Sequence, residues 1–200
     1  MAGFKTKVTP EIEKLTDICR DNTSLDLSLY AKYDVKRGLR DINGKGVLAG
    51  LTQVSNVQAT KIVDGKEVPC AGKLSYRGYD IKDLTRGFIQ DDRYGFEEVA
   101  YLLLFGKLPD QQQLMDFTEL LANQRSLPTN FVRDVIMKAP SRDIMNGLSR
   151  SVLTLYSYDH NPDDTSLPNV LRQCLNLISV FPLLSVYGYQ AYNHYVKGKS

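Results

Sequence analysis

From Gln173 to Val196 the chain carries no Asp, Glu, Lys or Arg. No other feature limits the fold as much. A run of this length without a charge must be shielded from water along much of its surface, by protein or by lipid. Leu, Ile, Val and Tyr dominate it, but Gln173, Asn176, Pro182, Gln190 and Asn193 interrupt it, with Ser179 and Ser185 between. Unpaired amides are costly in hydrocarbon. The composition therefore favours a core helix of a soluble protein over a membrane span. Ser166 and Pro168 open this helix, it runs towards Tyr195, and Pro182 predicts a bend.

The rest of the chain is read around that helix. Pro10 with Ile12, Leu15 and Cys19 predicts a first helix over 10–22. Gly38 to Gly50, with Asn43-Gly44, reads as turn and loop. Residues 51–76 read as extended. Within them, Asp64-Gly65 between Lys61-Ile62-Val63 and Lys66-Glu67-Val68 predicts a two-residue hairpin. Phe96, Val99, Ala100 and Leu103 predict one apolar helix face, with Glu97 and Glu98 at its positive end and Gly106 and Pro109 closing it. Asp110 caps a helix with Leu114, Phe117 and Leu121 in register. A short helix follows Pro128 and stops at Pro140. Asp143 caps a longer one carrying Ile144, Leu148, Val152 and Leu155, and Asn161-Pro162-Asp163-Asp164 makes a turn. The expected fold is mainly α with a small N-terminal β-hairpin. It is organised as an N-terminal helix and Gly-rich loop (1–50), a small β-element (51–80) and a helical part (81–200).

Composition excludes several functions. Of 200 residues, 25 are Lys or Arg and 23 are Asp or Glu, a net charge of +2 with no basic arm. Electrostatics does not call for nucleic acid. Cys19, Cys70 and Cys174 are scattered, as in a reducing compartment, and form no zinc spacing. The first residues lack an apolar signal core, so a cytoplasmic location is expected. No phosphate loop, GxGxxG or GxSxG motif is present. His160 falls in a turn and His194 at a helix end, and both read as surface or capping residues. Tyr187, Tyr189, Tyr192 and Tyr195 lie near Lys197 and Lys199. They allow base stacking, but read better as a buried or interfacial helix face.

Two long runs point to a family. Lys73-Leu74-Ser75-Tyr76-Arg77-Gly78-Tyr79-Asp80-Ile81-Lys82-Asp83-Leu84 resembles the N-terminal signature of citrate synthases. So does Phe96-Glu97-Glu98-Val99-Ala100-Tyr101-Leu102-Leu103-Leu104-Phe105-Gly106-Lys107-Leu108-Pro109. Gly38-Leu39-Arg40 and Leu127-Pro128 follow the family's order and spacing. The stretch from Asp143 to Tyr195 is similar to the type found in anaerobic, Gram-positive bacteria.

The resemblance implies an almost all-α homodimer that condenses acetyl-CoA with oxaloacetate and water. It implies no prosthetic group and no metal. It places the catalytic His, Asp and Arg in the family's C-terminal half, so no catalytic residue is carried over to this sequence. The 200 residues alone are expected to be inactive. Arg40 matches the family arginine that reaches a CoA phosphate. Segments 143–158 and 166–195 match part of the dimer interface. Two alternatives stand beside this reading: a non-catalytic helical dimerisation module, and part of a 2-methylcitrate synthase.

Overall fold

A computed structural model of the chain describes Pro10, Thr16 and residues 26–33, 35–36, 38–41, 43–47 and 50–199. The helix expected over 10–22 lies outside the described residues, apart from Pro10 and Thr16. The chain divides into two compact units, Met1–Thr52 and Gln53–Ser200. In the first, a short helix α1 spans Ser28–Lys32. Beyond it, Arg40 and Gly46 pair in an isolated antiparallel bridge.

The second unit opens with a meander of β1 (Ser55–Val63), β2 (Lys66–Tyr76) and β3 (Tyr79–Asp80), in that order. Ser55 pairs with Tyr76 and Val63 with Lys66. The turn between β1 and β2 is the expected one. Asp64 and Gly65 both have positive φ, 50° and 75°, as a type I′ turn requires. Between Gln58 and Thr60 the register shifts, so Ala59 faces a bulge at Cys70–Gly72. Every residue of β1 is exposed, making this a ribbon and not a core sheet.

Helices follow: α2 (Ile81–Gln90), α3 (Phe96–Phe105), α4 (Gln111–Asn123), a π-helix (Val132–Met137), α5 (Ile144–Tyr156) and α6 (Leu167–Tyr195). Their ends obey local chemistry. Asp80 caps α2 by accepting from the Lys82 N–H at 2.9 Å. Asp110 and Gln113 form a reciprocal capping box on α4. Asp143 accepts from the Asn146 N–H at 3.0 Å, and Gly106 ends α3 in the left-handed conformation. Gly95, at the start of α3, has no room for a side chain. A Cβ there would meet the Phe88 ring at 2.2 Å.

Two apolar clusters form the core, and α6 contributes to both. Leu175 packs with Phe117 and Leu121 of α4, joined by Ala100, Tyr101 and Leu104 of α3. Further along, Val180, Leu184 and Ala191 pack with Phe131 and Ile136, joined by Leu148, Val152 and Leu155 of α5. The expected face of α3 is corrected. Ala100, Tyr101 and Leu104 pack on the core, whereas Phe96 is exposed. Helix α3 is apolar nearly all round, so periodicity alone selects no face.

Helix α6 is continuous through Pro182. Only Asn169, Leu175, Ser179, Val180, Leu184 and Ala191 are buried along it. It is long and apolar enough to cross a membrane by length and composition alone. Its polar interruptions and its two packed clusters fit a core helix that is covered on part of its surface.

The two sequence signatures meet at one side chain. Arg77 and Gly78 form the turn between β2 and β3, with φ of 49° and 90°. From that turn the Arg77 guanidinium reaches the last turn of α3. Nε and Nη2 both donate to the Leu103 carbonyl, at 3.2 and 2.8 Å. A cation at a helix C-terminus satisfies an orphan carbonyl and opposes the helix dipole. Charged hydrogen bonds of this kind contribute about 1.5–3 kcal/mol. Asn tolerates the left-handed backbone but cannot span the gap. Arg77→Asn should therefore lower unfolding free energy by about 1.5–3 kcal/mol in a urea titration. A loss near zero would show that the clamp is not formed.

Candidate functional site

In the first unit, Arg40 stands on a tight loop. The Asp41 N–H donates to the Lys45 carbonyl at 2.7 Å, Gly44 N–H to Asp41 at 2.9 Å, and Val47 N–H to Leu39 at 3.1 Å. The Asn43 side-chain oxygen accepts from the Lys45 N–H at 2.9 Å. Gly38 and Gly44 supply positive φ, 65° and 83°, where the chain reverses. Arg40 is exposed, and its Nη1 donates to the Gly44 carbonyl at 3.3 Å. Lys36 pairs with Asp41 at 3.2 Å on the same loop. The result is a permanent cation displayed on a braced turn, a suitable mount for an anionic group.

In the second unit, the largest concentration of polar contacts is the corner between α5 and α6. Arg172 Nη2 donates to both Asp159 oxygens, at 2.9 and 2.8 Å. Arg172 also donates through Nε and Nη2 to the Asn169 side-chain Oδ1. Buried Asn169 in turn donates to the Asn161 and Asp164 carbonyls, at 2.9 and 2.7 Å. Gln173 Nε2 donates to the Pro162 carbonyl at 3.0 Å. The expected opening of α6 at Ser166 is present, but by a different device. The Ser166 hydroxyl donates to Asp164 at 3.0 Å and does not cap the helix.

A groove of about 830 Å³ lies against this corner, bordered by Pro128, Tyr158, His160, Arg172, Asn176 and Val180. His160 is exposed on its rim. His194 is exposed in the last turn of α6, with its ring against Tyr195 at 4.7 Å. His160 follows Asp159, which pairs with Arg172 near the start of α6, and from Arg172 the helix rises about 33 Å at 1.5 Å per residue before it reaches His194. They cannot act on one small substrate together. At the Tyr-rich end, Lys197 Nζ lies 5.0 Å from the Tyr192 ring centroid. Among the described residues, no group of three or more His, Cys, Asp or Glu is placed to hold a metal.

Comparison with known proteins sets these features in a family. A family model described as citrate synthase, C-terminal domain, matches residues 39–199. The chain belongs to the citrate synthase family. It is 27% identical over 150 residues to 2-methylcitrate synthase 1 of Corynebacterium glutamicum, covering 75% of this chain and 34% of that protein. It is 35% identical over 132 residues to the citrate synthase of Haloferax volcanii, covering 65% of this chain and 29% of that one. Among solved structures, the citrate synthase of Pyrobaculum aerophilum superposes with a TM-score of 0.58 at 25% identity. That match covers 77% of this chain and 35% of the other. The chain spans about a third or less of the length of the curated relatives it matches. The citrate synthase fold is helical, and the helices described above with one small sheet agree with it.

Family membership gives the clamp and the corner their context. Arg77 lies in one family signature and Leu103 in the other, so both signatures serve the same joint. No sequence motif marks this role of Arg77 directly. The available signal was the X-Gly turn between Tyr76 and Tyr79, which aims Arg77 off the ribbon. The Asp159–Arg172 pair gave no signal, because its partners are 13 residues apart on separate elements.

The corner has a definite pH dependence. The Asn161 N–H and the Arg172 guanidinium hold the Asp159 carboxyl below its ordinary value of 3.8. The Ser166 N–H and hydroxyl do the same for Asp164. A depressed carboxyl stabilises the fold above its unfolded pKa, and that contribution is lost as pH falls through the folded value. Asp159→Asn should therefore melt below the parent protein at neutral pH. The gap should close as the pH drops under 3.8. Thermal melts across an acid series check this, and a gap independent of pH would contradict it.

Proposed function

We propose that this chain is the scaffold portion of an enzyme that condenses acetyl-CoA with oxaloacetate and water to give citrate and CoA. The family match over residues 39–199 carries this reading. Deprotonating a thioester methyl needs a base and an oxyanion donor acting together. His160 and His194, held far apart along α6, do not supply that pair. In this reading the acid–base residues are contributed by other segments of the enzyme, and the 200 residues alone do not turn over. Arg40 contacts a CoA phosphate when the site is assembled, and the braced exposed loop supports that role. The enzyme uses acetyl-CoA as substrate with no prosthetic group and works in the cytoplasm.

The same reading assigns 143–158 and 166–195 to a homodimer interface. Its support is the apolar surface left uncovered on α5 and α6. Leu153 is 74% exposed and Val186 58%, on helices with little charge. Charge depletion is what the core of a permanent interface shows. A non-catalytic dimerisation module would use the same surface. The 2-methylcitrate synthase relative favours a second substrate reading, with one more methylene on the acyl thioester.

Two measurements on the purified chain test this. Gel filtration with light scattering should report a dimer across a dilution series, and Leu153→Asp combined with Val186→Asp should convert it to monomer. Free-thiol release from acetyl-CoA or propionyl-CoA with oxaloacetate should stay at the blank rate. A parent chain that is monomeric throughout would contradict the interface. Turnover by this chain would contradict the scaffold role.

A further inference from the structure

A narrow cavity lies where the π-helix, α5 and α6 converge, lined by Ile136, Ser141, Gly147, Arg150, Ser151 and Gly188 among others. Its volume is about 20 Å³, just above the roughly 10–15 Å³ that one water molecule needs. Two glycines keep it open. Gly147 on α5 and Gly188 on α6 both border it, and a Cβ added at either would meet nothing within 4 Å. Both glycines lie inside helices, where Gly costs about 1 kcal/mol relative to Ala. Packing in the folded chain does not exclude a methyl group at either position.

The lining is polar where it matters. Arg150 sends Nη2 to the Ala139 carbonyl at 2.6 Å and to the Val135 carbonyl at 3.3 Å. Its Nε is buried and has no hydrogen-bond partner among the described residues. A buried unpaired donor on a charged group is expensive. Ser151, 3% exposed, gives its proton to the Gly147 carbonyl at 2.9 Å, which leaves its oxygen lone pairs to accept. Ser141 Oγ accepts from the Asp143 N–H at 3.0 Å, which leaves its hydroxyl proton to donate. One donor from Arg150, one acceptor from Ser151 and one donor from Ser141 supply three of the four hydrogen bonds a water can make, the usual number for a buried one.

We propose that this cavity is a binding site for one ordered water, which accepts from Arg150 Nε and bridges it to Ser151 and Ser141. The water ties the segment at Ser141, between the π-helix and α5, to α5 beside its contact with α6. Gly147 and Gly188 keep the space that it fills. The site is independent of the catalytic reading above.

Two experiments on the whole chain decide it. The Arg150 Nε–H resonance should show a cross-peak to a long-lived water in heteronuclear NMR. Gly188→Ala should lower Tm by roughly 2–4 °C despite its better helix propensity, because its methyl displaces the water and strands the guanidinium. A raised Tm would mean a dry void and would overturn the proposal. So would an Arg150 Nε–H without a water contact.

Discussion

Helix α6 supports the rest of the second unit because its apolar contacts split between two clusters. Leu175 engages α3 and α4, whereas Val180, Leu184 and Ala191 engage α5 and the π-helix region. Without α6 the two clusters would share no element. The absence of charge from 173 to 196 follows from this arrangement. A Lys or Asp on either packed face would be desolvated without a partner, at a cost far above any single contact. From Gln173 onward the uncovered face of the helix carries no Asp, Glu, Lys or Arg either.

Polar groups then set the geometry around that helix. At one end, Asp159, Asn169 and Arg172 fix the approach of α5 to α6. At the other side of the unit, Arg77 fixes the ribbon to α3 through one carbonyl. These joints are side chain to backbone or side chain to side chain across elements. Burial brings the elements together, and the joints select one arrangement among those that bury similar area. The Arg77 joint links the two runs that resemble citrate synthases, with Arg77 in one and Leu103 in the other.

Much of this is legible from local sequence. Asp64-Gly65, Asp110, Asp143, Gly106 and Pro168 mark element ends through chemistry that acts within a few residues, and the structure places ends at each of them. The face used by α3 was not legible, because Phe-Glu-Glu-Val-Ala-Tyr-Leu-Leu-Leu-Phe offers apolar residues on every side. The expectation of helix over 81–200 did not locate α2 separately, although Asp80 supplies its cap. The π-helix has no composition signature, and the contact at its end, Arg150 of α5 donating to the Val135 and Ala139 carbonyls, joins residues 11 and 15 apart in sequence. Arg40 stands out in the sequence only through its resemblance to a family motif. Locally it is one arginine on a Gly-rich loop, and the structure adds that the loop is braced.

Native-state hydrogen exchange measured along the chain tests the central claim most directly. If α6 is the element on which both clusters depend, its amides from Leu175 to Ala191 exchange only by global unfolding and are the slowest in the second unit. The exposed ribbon from Ser55 to Val68 should exchange much earlier. An α6 that exchanges as fast as the ribbon, or whose two halves exchange independently with α4 and α5, would contradict the account.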